Sequence, residues 1–301
     1  MFLQEDRKKF QQAVSLTSFR SDRMGKIIEK DYYVTMILRL LADEMPFVVF
    51  KGGTSLSKCH QAILRFSEDI DIAVDHDLSQ GKKKKLKYEI ADIAQRLGLK
   101  IVNIGETRSR RDYNRYIIAY DSILPQINEA IQPVILLETS FTARSFPTVT
   151  LPVSSFIGQT LEREASGLLK EYSLNPFSMK VQGLDRTLTD KVFAVCDYYL
   201  QNRIKKHSRH IYDIYKLLPL VKQDDAFRAL VREVRAVRKE SVICPSAADG
   251  VNIPELLAEM IQKEAYREDY RNLTEKLLEE EVDYDTAVTA LERIAAGGMF
   301  A

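Results

Sequence analysis

Between Phe47 and Val74 the chain reads FVVFKGGTSLSKCHQAILRFSEDIDIAV, and no other stretch restricts its folding so tightly. Phe47 to Phe50 form a short apolar run with strand character, Gly52 and Gly53 follow directly, and a helical stretch begins near Thr54 or Ser55. A second β-branched run, Ile70, Ile72 and Val74, then carries Asp69 and Asp71 two residues apart. Successive side chains of a strand alternate between its faces, so both carboxylates are expected on one side. Two parallel carboxylates make a poor core and a good clamp for a hard divalent cation. Mg²⁺ takes one or two protein carboxylates and leaves its other positions to water and substrate phosphate, and Mn²⁺ accepts the same oxygen donors.

The upstream half supplies what a triphosphate needs. Backbone N–H groups at a glycine turn and at the first turn of a helix point outward, and glycine lets a phosphate approach without a Cβ in the way. Lys51, Thr54 and Ser55 add cationic and hydroxyl donors beside Gly52 and Gly53, and the second strand is expected to lie beside the first. Either half alone is a common feature of proteins. The order strand, Gly-Gly, helix, D-x-D on a second strand is what points to metal-assisted chemistry on a nucleoside triphosphate.

The segments K-G-G-T-S-L and R-F-S-E-D-I-D, with E-K-D-Y at Glu29 to Tyr32, resemble the AbiEii/AbiGii toxin family of the DNA polymerase β-like nucleotidyltransferase superfamily, to which the MenT-type toxins are related. Fifteen residues separate Gly53 from Asp69, in keeping with the AbiEii type and not with the minimal antibiotic-modifying relatives. The likeness is strongest over residues 29 to 74 and 184 to 217. It implies two further catalytic positions. Lys191 lies on a helix opened by L-D-R-T-L-T-D-K, where the resembled toxins present a lysine, and Asp213 lies in R-H-I-Y-D-I-Y, where the family requires an aspartate.

Both positions also admit plainer readings. A lysine near a departing pyrophosphate stabilises its growing charge, but most lysines on helices are simply exposed. Asp213 can orient Lys191 or the acceptor, or form an ordinary ion pair with Arg209 one turn earlier. Glu138, in the apolar run Pro133 to Ser140, is the candidate third metal carboxylate; the alternative is a strand-end glutamate reaching solvent. Arg65 and Ser67 are expected to help hold the triphosphate.

Composition agrees with a folded, mixed protein. The 301 residues are 45% hydrophobic and 29% charged, enough for a full core. Three scattered cysteines suggest reduced thiols in a cytoplasmic protein, and four histidines show no zinc-ligand spacing. No apolar run is long enough to span a bilayer, so no membrane association is expected. The net charge of +1 makes no global case for nucleic acid, but basic residues cluster at Lys82 to Lys87, at Arg108 to Arg115 and at Arg203 to Arg209. The last two clusters are candidates for RNA phosphates, with Tyr113 and Tyr116 available for stacking.

Periodicity divides the chain into an α/β (α+β) half with a mixed sheet, residues 1–160 including a helical start, and a mainly helical half, 161–301, expected to complete an active-site cleft. The first half reads as strand 47 to 50, helix 55 to 64, strand 68 to 74, helix 83 to 98, strand 99 to 105 and later strands near 114 to 120 and 132 to 139, with Arg144 to Gly158 as a connector. The resulting expectation is an enzyme that moves a nucleoside monophosphate from a nucleoside triphosphate to an acceptor hydroxyl. The family resemblance implies the 3′ end of tRNA as acceptor, a toxin of a toxin-antitoxin or abortive-infection (phage defence) system, and a cognate antitoxin partner. Modification of protein hydroxyls, or a non-catalytic RNA- or partner-binding module on the same fold, are the competing readings.

Overall fold

The β-branched runs of the first half become strands of one mixed seven-stranded sheet. The strands are β1 (Val48–Lys51), β2 (Ile70–Val74), β3 (Lys100–Ile101), β4 (Tyr113–Ala119), β5 (Val134–Ser140), β6 (Thr148–Val153) and β7 (Phe177–Gln182). They lie side by side in the order β3-β4-β5-β2-β1-β7-β6. The structure is a computed structural model that describes residues 1–125, 131–142 and 144–300. The chain resolves into two compact units, Met1–Cys59 with Glu68–Val181, and His60–Ser67 with Gln182–Ala301.

In the first unit, β1 and β2 are neighbours, as the sequence anticipates, and they pair antiparallel, while β2 with β5 and β1 with β7 are parallel. β4 and β5 pair antiparallel along their whole length. One face of this sheet is core: Phe50, Ile70, Ile72, Ile135, Leu137 and Tyr116 are all at most 2% exposed. Against the core pack α1 (Arg7–Ser21), α2 (Gly25–Glu44) and α4 (Gln80–Arg96), with α5 (Phe156–Glu164) and α6 (Gly167–Glu171). The first helix is capped by Asp6, which accepts from the Lys9 N–H at 3.0 Å, and Ser79 caps α4 in the same way through Lys82.

Apolar spacing predicts a single buried face for α2. Instead twelve of its twenty residues are buried, including Glu29 and Lys30 of the E-K-D-Y stretch, as befits a helix enclosed on most sides. Each charge of the stretch is matched separately, as buried charges must be. Glu29 accepts from Ser122 Oγ (2.6 Å) and the Ile123 N–H (2.7 Å), Lys30 meets Glu68 at 2.5 Å, and Lys58 meets Asp31 at 2.5 Å. The motif is thus a set of struts, one of which fixes the residue just before Asp69.

Several expectations about elements are revised. The helix placed at 55 to 64 is α3 (Gly52–Lys58), and the following segment runs extended: Phe66 N–H donates to Leu277 O (3.0 Å), Glu279 N–H to Leu64 O (2.8 Å), and Leu64 N–H to Tyr212 Oη (2.9 Å). Backbone partners from residues 277–279 replace the intrahelical ones, so His60–Ser67 belongs to the helical unit. The supposed connector Arg144 to Gly158 contains β6, whose Pro152 is tolerated because β6 is an edge strand. The strand expected at 99 to 105 shortens to two residues. The first unit extends to Val181, beyond residue 160, because Val181 on β7 pairs in register with Phe50.

The second unit contains α7 (Leu184–Leu200), α8 (Arg209–Leu217), α9 (Asp225–Lys239), α10 (Ile253–Gln262), the short α11 (Arg267–Asp269) and α12 (Tyr284–Gly297). Ile211, Tyr212, Ile214 and Leu217 bury one side of α8 completely. No helix among the described residues is long and apolar enough to cross a membrane.

Candidate active site

In the α/β unit, strand register assembles a straight row of charge. Lys51 on β1 is the partner of Asp71 on β2, Asp71 is the partner of Glu138 on β5, and Glu138 is the partner of Arg115 on β4. Residues directly opposite on paired strands share a face, so the order across four strands is cation, acid, acid, cation. The row lies on the face opposite the Phe50, Ile72 and Leu137 core, where the alternation of β4 and β5 leaves Arg115 exposed and Glu138 partly so. Arg115 holds Glu138 through two contacts of 2.7 Å, with the Glu138 side chain 25% and the Arg115 side chain 54% exposed. Burial and the Glu138 charge push the Tyr113 phenol, two residues along the same face, up to about 12.

Asp71 also sits against the glycine turn. Gly52 has a φ of +78°, and a Cβ built there would lie 1.9 Å from Asp71 Oδ2 and 2.8 Å from its Cγ. Only glycine permits both the left-handed backbone and the approach of the carboxylate. The acidic strand and the glycine turn are therefore in direct juxtaposition. Asp69 lies one residue before β2, outside the strand in which the sequence places it. Thr54 and Ser55 are buried, and Ser55 Oγ donates inward to Gly52 O at 2.9 Å, so that hydroxyl braces the turn. Among the described residues no three His, Cys, Asp or Glu side chains converge as a ready cage for a metal. Mg²⁺ asks for no more than one or two carboxylates, and the Asp71–Glu138 pair fits that need in donor chemistry.

A family comparison now decides between the superfamily branches: the family profile described as "Nucleotidyl transferase AbiEii toxin, Type IV TA system" matches residues 37–292. The chain belongs to the AbiEii family. Its class is therefore that of the nucleotidyltransferase toxins of type IV toxin-antitoxin systems, which implies a nucleoside triphosphate substrate and an antitoxin partner. Among solved structures, the AbiEii chain is similar to MenT4, a nucleotidyltransferase toxin from Mycobacterium tuberculosis, at 18% identity and a TM-score of 0.60, covering 95% of this chain and 88% of that one. At that identity the likeness establishes the fold. None of the curated protein sequences matches the chain.

The helical unit of this AbiEii protein carries a second buried charge cluster. Asp213 is fully buried and receives Arg65 in a fork, Nε to Oδ1 at 2.6 Å and a terminal guanidinium nitrogen to Oδ2 at 2.8 Å. Lys191 Nζ reaches the same Oδ2 at 2.7 Å and His210 Nδ1 at 3.2 Å. Burial alone would raise the Asp213 carboxyl, but the charges of Arg65 and Lys191 outweigh it and hold the group well below the ordinary carboxylate range. Burial lowers Lys191, assisted by Arg65 and opposed by Asp213, and it lowers His210 far below its usual value. Of the alternatives open in the sequence, the exposed-lysine reading of Lys191 fails, since its side chain is only 10% exposed. Asp213 is held by Arg65 and Lys191 in place of the Arg209 pairing suggested by spacing.

Two features escape a reading of the sequence. Metal-ligand spacing is the wrong question to ask of His210, which is Lys191's second partner; its position three residues before Asp213 in α8 is the available signal. Charge clustering groups Arg115 with RNA-binding residues, although it is paired with Glu138. Tyr116 is 2% exposed and belongs to the core, which removes it from the stacking candidates, whereas Tyr113 is 46% exposed.

Proposed function

We propose that the chain is a metal-dependent nucleotidyltransferase that transfers a nucleoside monophosphate to the 3′-terminal hydroxyl of tRNA. The observation that carries this reading is the Asp71 carboxylate lying directly against Gly52, with Glu138 in register beside it. In the reaction an acceptor oxygen bonds to the α-phosphorus, the α–β phosphoanhydride breaks and pyrophosphate leaves. Asp71, Asp69 and Glu138 would hold Mg²⁺ or Mn²⁺, which when bound neutralises phosphate charge and aligns attacking and leaving oxygens. Backbone N–H groups at Gly52 and Gly53, with the Lys51 side chain, accommodate the phosphates, while the buried Thr54 and Ser55 support the turn from beneath.

In this reading the family resemblance gives Lys191 the role of a fixed positive charge for phosphate, and Asp213 acts as the residue that positions it. Its two oxygens anchor Arg65 and Lys191 at 2.6 to 2.8 Å. Among the described residues the Lys191 ammonium, with three N–H donors, meets two acceptors, Asp213 and His210. Preorganised charge of this kind needs no rearrangement as the leaving group forms. The exposed basic residues Arg203, Lys205 and Lys206 support an RNA acceptor.

The test is incubation of the purified protein with each labelled nucleoside triphosphate and Mg²⁺, with either tRNA or total protein. Label on the tRNA 3′ end, lost in Asp71→Asn, is the expected result. Label on protein instead would reassign the acceptor, and nucleotide binding without label on either polymer would refute catalysis.

A further inference from the structure

The four-residue row across the sheet poses an electrostatic problem that the proposed metal site leaves open. Asp71 and Glu138 are direct neighbours on adjacent strands, which are about 4.8 Å apart, and like charges so placed repel. A bound cation would relieve this; in its place a cation stands at each end of the pair, Lys51 in register with Asp71 and Arg115 in register with Glu138. Arg115 is the more committed of the two. Its Nε and a terminal guanidinium nitrogen both lie 2.7 Å from Glu138 Oε1. It also comes from β4, the neighbour of β5 on the side away from β2. The carboxylate that has to lean toward Asp71 for the two acids to share a cation is drawn the opposite way.

Arg115 is moreover built to let go. Its side chain is 54% exposed, so the released guanidinium returns to solvent at little cost, whereas Glu138 is only 25% exposed and depends on a cationic partner. We propose that Arg115 is a displaceable internal counter-ion that competes with the divalent cation for Glu138 and thereby sets the metal affinity of the Asp71–Glu138 pair. This rests on the metal-dependent reading above and adds to it a residue outside the metal donors. The row would be held together and balanced in charge, two cations against two acids, before nucleotide arrives, and would take its metal most readily with the triphosphate, whose oxygens add the donors that tip the competition.

Direct binding of Mn²⁺, followed by the electron paramagnetic resonance signal of the free ion, tests this on the full-length protein without any turnover. Arg115→Gln is expected to bind Mn²⁺ about 2- to 5-fold more tightly than the parent, the range that an exposed ion pair commands. Arg115→Lys, which keeps the charge and loses the fork, should fall between the two. In a Glu138→Gln background the Arg115→Gln gain should vanish, because the two residues act through one another. Unchanged or weaker binding in Arg115→Gln overturns the inference, as does an equal gain in both backgrounds, which would mark general charge repulsion. A parent that binds no Mn²⁺ refutes the metal site itself; Mn²⁺ binding lost in Asp71→Asn but indifferent to Arg115 refutes only the counter-ion.

Discussion

Gly52→Ala is the substitution whose consequence the structure specifies most closely. The added methyl would stand 1.9 Å from Asp71 Oδ2, at a residue whose φ is +78°. Two costs follow, and they differ in kind. The left-handed backbone costs an L-residue roughly 1 to 2 kcal/mol, which appears as lower stability. The collision forces the Asp71 carboxylate to retreat by about 1 Å, since its own strand is pinned on both sides by β1 and β5, and a misplacement of that size at a reacting centre costs about 100-fold in rate. A control separates them. Gly98 has a φ of +70° and open space for 4 Å around the point a Cβ would occupy, so Gly98→Ala carries the backbone cost alone. Both variants should lose similar stability in urea titration, while transfer of labelled nucleotide falls about 100-fold in Gly52→Ala and stays near the parent rate in Gly98→Ala. A Gly52→Ala protein with parental transfer activity would refute the claim that the turn and Asp71 form one site.

Two further outcomes concern the helical unit. Asp213→Asn leaves Arg65 and Lys191 buried without their counter-charge and should cost about 3 to 5 kcal/mol; a urea midpoint close to the parent's would show that the cluster does not support the fold. The pH dependence follows from depressed histidines. Burial, with Arg209 and Arg203 nearby, lowers His207 to about 4, and burial with Lys191 beside it lowers His210 well below its ordinary value. Below pH 6.5 the unfolded chain therefore binds protons that the native state refuses, so stability falls as pH drops from 6.5 toward 4, by at most about 1.4 kcal/mol per pH unit for each histidine. Replacing His207 with Gln should flatten that slope by up to one histidine's share in urea melts between pH 6.5 and 4.5, and an unaltered slope would contradict the assignment. Asp213 acts lower: its carboxyl is held down, so its stabilisation is present above its ordinary value near 3.9 and is lost as pH falls below that.

What can be read in the sequence is what local chain chemistry decides. Gly52, Asp71 and the strands β1 and β2 beside them are legible because glycine punctuation and β-branched alternation are properties of neighbouring residues. Glu138 stands out as the only charge in an apolar run, which is again a local contrast. The Arg65–Asp213 fork spans 148 positions, and no periodicity announces a partner at that distance; the nearer Arg209 is the only one that spacing offers. The Pro-containing stretch hides β6 because proline signals a break unless the strand is known to be an edge. Register is the deepest of these losses. Lys51, Asp71, Glu138 and Arg115 come from four separate strands, and shifting any one pairing by a single residue would turn its side chain to the other face. The individual acids therefore suggest a cation site from sequence alone, but whether that site is open or already countered depends on which cation stands opposite, and that is a property of the sheet.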